Sequence, residues 1–259
     1  FTKMRFNARH EMYIPYEHSS GRYLEILSYF ETKGRVMMSA SGVMKRIWRV
    51  ASKSFPDADV SKDWLSTCFY TCDGVAPHPD GRAKLVLDAA SKISAVKLYH
   101  GVFPLSLQEW EELPGIELGK ERVKELVRRS YSHEEAKQIE ELQFLAQGSK
   151  NLGSYLDAIA IASDNPHPKI RVLKDFSPPR SLASLRPLEI NCSSNIIKGG
   201  SVIALGELDN KTCISVGESK KNGKPKTTLE QMLSIGRGKV LPEHWPQYVA
   251  EVELLFQKN

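Results

Sequence analysis

The sequence lacks the short motifs that several large enzyme classes need. It contains no Gly-x-Gly-x-x-Gly after a predicted strand, no Gly-x4-Gly-Lys-Ser/Thr, no His-Glu-x-x-His and no Gly-x-Ser-x-Gly. The first two motifs bring backbone amides close to phosphate groups, and the other two supply zinc ligands or an exposed nucleophile. Their absence argues against dinucleotide-binding dehydrogenases, P-loop NTPases, zincins and α/β-hydrolases.

Metal-binding and membrane-spanning patterns are missing as well. The cysteines are Cys68, Cys72, Cys192 and Cys213, and no second Cys or His pair is spaced to complete a zinc site. We interpret them as small core residues in a reducing compartment, which predicts a cytoplasmic protein without a metal. No apolar run reaches the roughly 18 residues of a transmembrane helix, so we expect no membrane partner. The chain opens on Phe1 rather than methionine, which indicates a processed or trimmed product.

The composition is that of an ordinary globular protein. The chain has 259 residues, of which 41% are hydrophobic and 26% charged, and its formal net charge is +5. This length suffices for one large domain or two modest ones without disulfides. The mild positive charge permits a polyanionic partner without requiring one.

Hydrophobic periodicity predicts an α+β fold with a helical N-terminal part followed by a mixed, mainly antiparallel β-sheet part. Apolar residues at spacings of three and four predict helices over 22–34, 41–54 and 83–94. Segment 73–82 holds two prolines and two Asp-Gly pairs and predicts a linker. We therefore expect a mostly helical region at 1–95 and a mixed α+β region with a C-terminal β-meander at 96–259.

The stretch Val96–Gly115 combines a predicted strand, a polar ring beside a glycine, and a helix start. Its first residues alternate in a half-buried strand pattern, and His100 and Gly101 follow where that strand should end. A glycine there would let a ligand approach the backbone closely. Ser106 and Glu109 have the spacing of a capping box, which predicts a helix start. The alternative is a plain strand-to-helix connection with a solvated histidine.

The second half of the chain begins with charged helical sequence and ends with β-rich sequence. Segment 117–147 is helical in pattern, and Ser132 with Glu135 forms a second predicted capping box inside it. Segment 152–162 is apolar and fits either a strand or a helix. Residues 208–211 have the composition of a hairpin turn. The predicted strands are Ile170–Leu173, Ser201–Leu205, Thr212–Val216 and Tyr248–Phe256.

Several patches of the sequence resemble ADP-ribosyltransferases of the phage and toxin type. Segment 97–102 (KLYHGV) is similar to the first conserved strand of that family. Residues 129–132 (RSYS) with Ala136 are similar to its Ser-Thr-Ser stretch and the helix that follows. Segments 202–223 and 248–255 resemble its closing β-meander. Together these patches cover about a third of the chain.

The resemblance implies a transferase (a glycosyltransferase) that uses NAD to modify a protein or nucleic-acid acceptor. It implies that NAD is held by five residues: Tyr99, His100, Gly101, Ser130 and Ser132. Glu207 or Glu253 would be the carboxylate that stabilises the oxocarbenium-like centre as nicotinamide leaves. Where the family carries its glutamate this chain has Gly200 and Ser201. An active enzyme and a degenerate relative that binds a partner therefore both stay open.

Basic residues support a second hypothesis, a nucleic-acid-binding protein of a virus, phage or mobile element. In the helix predicted at 41–54 the basic side chains lie opposite the apolar face, and a second basic cluster follows Glu218. The alternative is that both are solvated surfaces, as charged faces usually are. An acidic protein surface would suit the same residues. The nucleic-acid candidates are Lys45, Arg46, Arg49, Lys220, Lys221, Lys224 and Lys226.

A third hypothesis is a metal-dependent nuclease. Glu218 and Lys220 have the Glu-x-Lys spacing, and Glu207 or Asp209 on a neighbouring strand would supply the other carboxylate. Two carboxylates and a lysine around Mg²⁺ would activate water for phosphodiester cleavage. Asp209 falls in the predicted hairpin turn, which is a poor position for a ligand.

Overall fold

A computed structural model of the chain describes most of its first 219 residues. The described residues are 17–52, 64–99, 102–163, 168–174, 181–191, 201–208 and 213–219, with the single positions 176, 179, 196 and 249. The chain divides into two compact units, Phe1–Glu218 and Ser219–Asn259. The helices and strands bounded below lie in the first unit, apart from Ser219 at the end of the last strand.

Seven α-helices are bounded within the described residues, and three of them begin at a serine cap. Ser39 accepts a hydrogen bond from the amide of Gly42. Reciprocal capping boxes join Ser106 to Glu109 and Ser132 to Glu135, as the sequence predicts. The helices are α1 (Tyr23–Thr32), α2 (Ala40–Ala51), α3 (Leu107–Glu112), α4 (Lys120–Arg128), α5 (His133–Lys137), α6 (Glu140–Ala146) and α7 (Ser149–Ser163).

The described strands form two sheets. The strands are β1 (Glu17–Gly21), β2 (Arg35–Met37), β3 (Phe69–Pro77), β4 (Ala83–Val86), β5 (Phe103–Leu105), β6 (Ile116–Leu118), β7 (Ser130–Tyr131), β8 (Ile170–Lys174), β9 (Ala183–Ile190), β10 (Ser201–Leu205) and β11 (Cys213–Ser219). A three-stranded sheet has the order β1-β11-β2. An eight-stranded sheet has the order β6-β4-β3-β9-β10-β8-β7, with β5 paired to β9. The β8–β10 pair is parallel, so this sheet is mixed.

The eight-stranded sheet separates two hydrophobic cores. Neighbouring side chains of β3 pack in different cores: Phe69 lies in the first core and Tyr70 in the second. Leu85 and Val86 of β4 divide in the same way, because successive side chains of a strand point to opposite faces. Helices α2, α6 and α7 cover the first face, whereas α1 and the buried Trp110 of α3 pack on the second. A sheet covered on both faces explains why β3 and β4 are apolar along most of their length.

The structure confirms an α+β fold and corrects its predicted arrangement. Helices are not gathered at the N-terminus, because α3 to α7 all follow β4. The sheet is mixed, and its central pair joins β3 from the region 1–95 to β9 from the region 96–259. Whether either region folds as a domain of its own stays a prediction.

Two predicted segments of the first half are wrong. Segment 83–94 is not a helix: β4 pairs with both β3 and β6, and a 3-10 turn at Ala89–Ser91 follows. Segment 73–82 is not a linker, because β3 continues to Pro77 and only the turn after it interrupts the pairing. The register of β3 against β9 shifts between Tyr70 and Gly74, so a β-bulge accommodates the Asp-Gly pair.

The predicted strand at the start of Val96–Gly115 is also wrong. Residues Ala95–Lys97 form a 3-10 turn, and Val96 is 94% exposed. The strand of this region is β5, which starts at Phe103. Likewise, β10 and β11 are not the two strands of the hairpin that the sequence predicts, because they belong to different sheets. The predicted strand 248–256 lies outside the described residues.

Candidate functional site

A groove of about 240 Å³ opens where β5, β9 and the end of β3 meet. Pro104 in β5 lies opposite Ser184 in β9. Arg186 lies two residues further along β9 and therefore faces the same side of the strand as Ser184. The groove is lined by Pro77, Tyr99, Val102, Pro104, Pro179, Ser181, Leu182, Ala183, Ser184 and Arg186.

The rim of this groove exposes large apolar side chains. Tyr99 is 59% exposed and Leu182 is 50% exposed. Backbone hydrogen bonds hold Tyr99 in place: its amide donates to the Val102 carbonyl at 2.9 Å, and the Val102 amide donates back at 3.1 Å. The ring is therefore anchored by an isolated bridge to Val102, the residue that precedes β5. The lining is mostly apolar, and three of its residues are prolines.

Arg186 places a cation in these apolar surroundings. Its Nε–H donates to the carbonyl oxygen of Gly206 at 3.0 Å. One of its terminal nitrogens lies 3.8 Å from a carboxylate oxygen of Glu207, a separation too long for a hydrogen bond. Burial lowers the pKa of Arg186, because the charged guanidinium loses water, while the nearby Glu207 acts in the opposite direction.

The backbone beside Arg186 is held from several sides. The Gly206 amide donates to the Pro187 carbonyl at 2.8 Å, and the Glu207 amide lies 3.4 Å from the Tyr70 hydroxyl. A Cβ atom added at Gly206 would lie 2.2 Å from the Tyr70 ring, so this position requires glycine. The acceptor of the Arg186 hydrogen bond is therefore fixed, and the guanidinium is oriented before any ligand arrives.

The described lining consists of mostly apolar residues and one charged side chain, that of Arg186, and it contains no catalytic arrangement. Tyr99 and Arg186 are its ionisable side chains. Nucleophilic catalysis needs a nucleophile and a base within hydrogen-bond reach, and these two residues do not supply that pair. Within the part of the chain that the structure describes, no group of three or more His, Cys, Asp or Glu residues could hold a metal ion.

The structure brings two of the predicted NAD-site and catalytic residues to this region. Tyr99 lines the groove, and Glu207 lies beside Arg186 with its side chain 65% exposed. Ser130 lies in β7, an edge strand three positions from β9, and Ser132 is occupied as the cap of α5. His100, Gly101 and Glu253 lie outside the described residues. Their predicted roles, and NAD itself as cofactor, stay predictions.

The predicted nucleic-acid residues of α2 do not share one outer face. Lys45 and Arg49 are exposed, whereas Arg46 is only 1% exposed and has its guanidinium carbon 5.6 Å from the centre of the Trp64 ring. The prediction that Arg46 lies opposite the apolar face is therefore wrong. The other candidates, Lys220, Lys221, Lys224 and Lys226, lie outside the described residues.

Sequence reasoning missed Arg186 and Leu182. Both lie in or next to β9, a strand that is not among those predicted from the sequence. The available signal was the alternation along 183–190, where polar residues at 184 and 186 interrupt an apolar run. Pro187 obscured it, because proline usually argues against an inner strand.

Comparisons with known proteins give one informative result. No family model matches the sequence, and a comparison with curated proteins gives no match. A solved structure of similar fold comes from Nanoarchaeota, in work on the accommodation of massive sequence variation by the C-type lectin fold. The TM-score is 0.54 at 11% identity, and the likeness covers 80% of this chain and 98% of that chain. The protein has a C-type lectin-like fold. Fold likeness at this identity carries no function with it.

The C-type lectin-like fold overturns the ADP-ribosyltransferase prediction. Two of the patches behind it fail structurally. The described residues of 97–102 form the end of a 3-10 turn and an isolated bridge, and β10 and β11 lie in different sheets. The transfer of ADP-ribose from NAD is therefore a wrong prediction for this protein.

The fold supports neither alternative hypothesis. For the nuclease, Glu207 follows β10 of the eight-stranded sheet, whereas Glu218 lies in β11 of the other sheet, so the two are not on neighbouring strands. For the nucleic-acid module, one of its three α2 candidates is buried. As for membranes, none of the described helices has the length and apolar character needed to span one.

Proposed function

We propose that this protein is a binding protein that holds an extended polypeptide segment in the groove at the start of β9. The observation that carries the proposal is the exposed apolar rim formed by Tyr99 and Leu182 around the partly buried Arg186. Exposed apolar side chains gathered at one place with a polar group among them are typical of interaction sites.

The size of the groove favours a segment of a macromolecule over a small molecule. Small-molecule sites are commonly about 300–1,000 Å³ and enclose most of the ligand surface. This groove has about 240 Å³, and residues on its rim are half exposed. A ligand of that size would stay largely in water, whereas side chains of a longer polypeptide could enter the groove and leave the backbone outside.

The chemistry of the lining favours an extended peptide. Grooves lined by aromatic side chains bind preformed extended segments at low entropic cost, as in the recognition of polyproline II segments. Here Pro77, Pro104 and Pro179 supply the flat surfaces and Tyr99 the aromatic one. This combination leads us to propose a polypeptide as partner.

The comparison structure suggests how such a groove could be used. In the Nanoarchaeota protein, the C-type lectin fold accommodates massive sequence variation. We extend that property to this chain: the two cores hold the fold, and the exposed rim of the groove can change without loss of stability. The proposed site of action is cytoplasmic, which the partly buried Cys72 supports, because its thiol is not joined in a disulfide.

A peptide selection tests the proposed function. A phage library of random peptides of about 12 residues is selected on the immobilised protein and screened against the variant Tyr99→Ser/Leu182→Ser. We expect enriched peptides that bind the wild type and lose about tenfold or more in affinity on this variant, because buried apolar anchors dominate peptide affinity.

The matched control is Val96→Ser/Leu107→Ser. Val96 is 94% exposed and Leu107 60% exposed, and neither lines the groove. Selected peptides should bind this variant as tightly as the wild type. A selection without enrichment, or peptides that lose affinity equally on both double variants, would contradict the proposal.

A further inference from the structure

The surroundings of Arg186 restrict what the groove can accept. The side chain of Arg186 is 23% exposed, so it lies in the groove but still reaches solvent. Its Nε–H is engaged with Gly206, and among the described residues Glu207 supplies its one neighbouring carboxylate, at 3.8 Å. An anion delivered by a ligand would find a guanidinium that is already oriented and only weakly paired.

We propose that the groove recognises a carboxylate joined to an apolar side chain, with Arg186 binding the carboxylate and the Leu182 side of the groove binding the apolar part. This inference rests on the proposed function and names the chemistry of its ligand. The carboxylate is either the C-terminus of the bound polypeptide or an Asp or Glu side chain within it.

Electrostatics favour this ligand. A guanidinium binds a carboxylate through parallel hydrogen bonds, which makes the pair short and directional. Partial burial disfavours the charged form of Arg186, as its lowered pKa indicates, so an anion beside it recovers part of that lost solvation. In the apolar lining this pair would be less screened by water than a pair on the open surface.

Glu207 competes for the same cation. Its side chain is 65% exposed, while its backbone is held near Tyr70. The carboxylate can therefore move into solvent without disturbing the chain, and a ligand carboxylate can take its place. Neutralising Glu207 should strengthen binding, whereas neutralising Arg186 should weaken it.

Two small probes test the carboxylate directly. N-acetyl-L-leucine and N-acetyl-L-leucinamide differ only in the charge at one end, and their binding is followed by ¹H–¹⁵N NMR of the full chain at pH 7. We expect the acid to bind at least about tenfold more tightly than the amide, with shifts at Ser184 and Arg186. N-acetyl-aspartyl-leucinamide, which carries its carboxylate on a side chain, separates the two possible sources.

Three variants give different expected patterns. Arg186→Gln should remove the preference for the acid, Glu207→Gln should raise affinity for the acid severalfold, and Leu182→Ala should weaken acid and amide alike. Glu207 is exposed, so its variant keeps the test valid even if Arg186→Gln fails to fold.

Each result decides the inference. Equal binding of acid and amide, binding of neither, or unchanged acid affinity in Glu207→Gln overturns it. The peptide selection described above is judged by the loss of affinity on Tyr99→Ser/Leu182→Ser, and it does not require the peptide to carry a carboxylate. Selected peptides without a required acidic group would therefore sustain the proposed function and reject the inference. If the protein bound the acid in preference to the amide but yielded no selected peptides, the inference would be sustained and the proposed function rejected.

Discussion

Asp73 accepts a hydrogen bond from the backbone amide of Ala40 at 2.7 Å, which ties the bulge in β3 to the first residue of α2. Its other oxygen accepts from the amide of Asp88 at 3.0 Å. The first amides of a helix have no partner within the helix, so a buried carboxylate there replaces the missing acceptor. A single side chain thus joins three segments of the chain.

Replacement of Asp73 by alanine should lower the free energy of unfolding by about 2–4 kcal/mol, because two backbone amides would lose their acceptors. Urea unfolding followed by circular dichroism measures the change. Asp73→Asn keeps one acceptor oxygen and should lose less than alanine does. If Asp73→Ala changed stability by less than about 0.5 kcal/mol, the structural role of this carboxylate would be refuted.

Gly74→Ala should destabilise the fold by about 1–3 kcal/mol, because a side chain there overpacks the sheet. A Cβ atom at Gly74 would lie 2.6 Å from the Cβ of Ala89 and 2.8 Å from the Arg186 carbonyl oxygen. Gly153→Ala in α7 is the matched control, since a Cβ there meets nothing within 4 Å. We expect the control to gain about 0.5–1 kcal/mol from helix propensity. Similar changes of stability in both variants would argue against this packing.

The capping box of α3 should lower the pKa of Glu109 to about 2 from its ordinary value of 4.5. The main cause is the hydrogen bond from the Ser106 amide, followed by the contact with Lys97. Because the folded-state pKa is lowered, the stabilisation is present above pH 4.5 and is lost as the pH falls towards 2. Carboxyl ¹³C NMR titration measures the pKa.

Lys97→Ala tests the order of these causes. Its removal should raise the Glu109 pKa only part of the way to the ordinary value, because the Ser106 amide still donates to the carboxylate. A full return to the ordinary value would show that Lys97, rather than the capping box, dominates the shift.

Exposed and buried leucines near the groove should respond differently to truncation. Leu182 is 50% exposed, so Leu182→Ala should change stability by about 0.5 kcal/mol or less. Leu185 is 0% exposed in the core that contains α1, so Leu185→Ala should cost about 2–5 kcal/mol. Thermal unfolding of both variants measures this. Strong destabilisation by Leu182→Ala would contradict the proposal that the rim of the groove can change without loss of stability.

Local signals in the sequence predict local structure well. The capping boxes at Ser106 and Ser132 form as expected, because the bonds that define them join residues three apart. The predicted strand Ser201–Leu205 is confirmed with the same bounds, and Ile170–Leu173 is confirmed within β8. These predictions depend on neighbours in sequence, so one sequence suffices for them.

Structure that depends on residues far apart in the sequence could not be predicted from local patterns. Ala83–Val86 fits a helical pattern, yet it becomes a strand because β3 and β6 lie on either side of it. The groove is assembled from β3, β5 and β9, so no single stretch of sequence contains it. The strand predicted at Tyr99 does not form, and Tyr99 lines the groove from an isolated bridge with Val102 instead.

The pairing of β3 with β9 also has a consequence during synthesis. The Thr71 hydroxyl donates to the Leu188 carbonyl across a separation of 117 residues. At the usual 5–20 residues per second, a ribosome needs about 6–23 s to supply that partner strand. Until then the nascent chain carries β3 without its central neighbour, as an apolar edge open to other chains. Efficient production of this protein should therefore depend on chaperones that shield its first half.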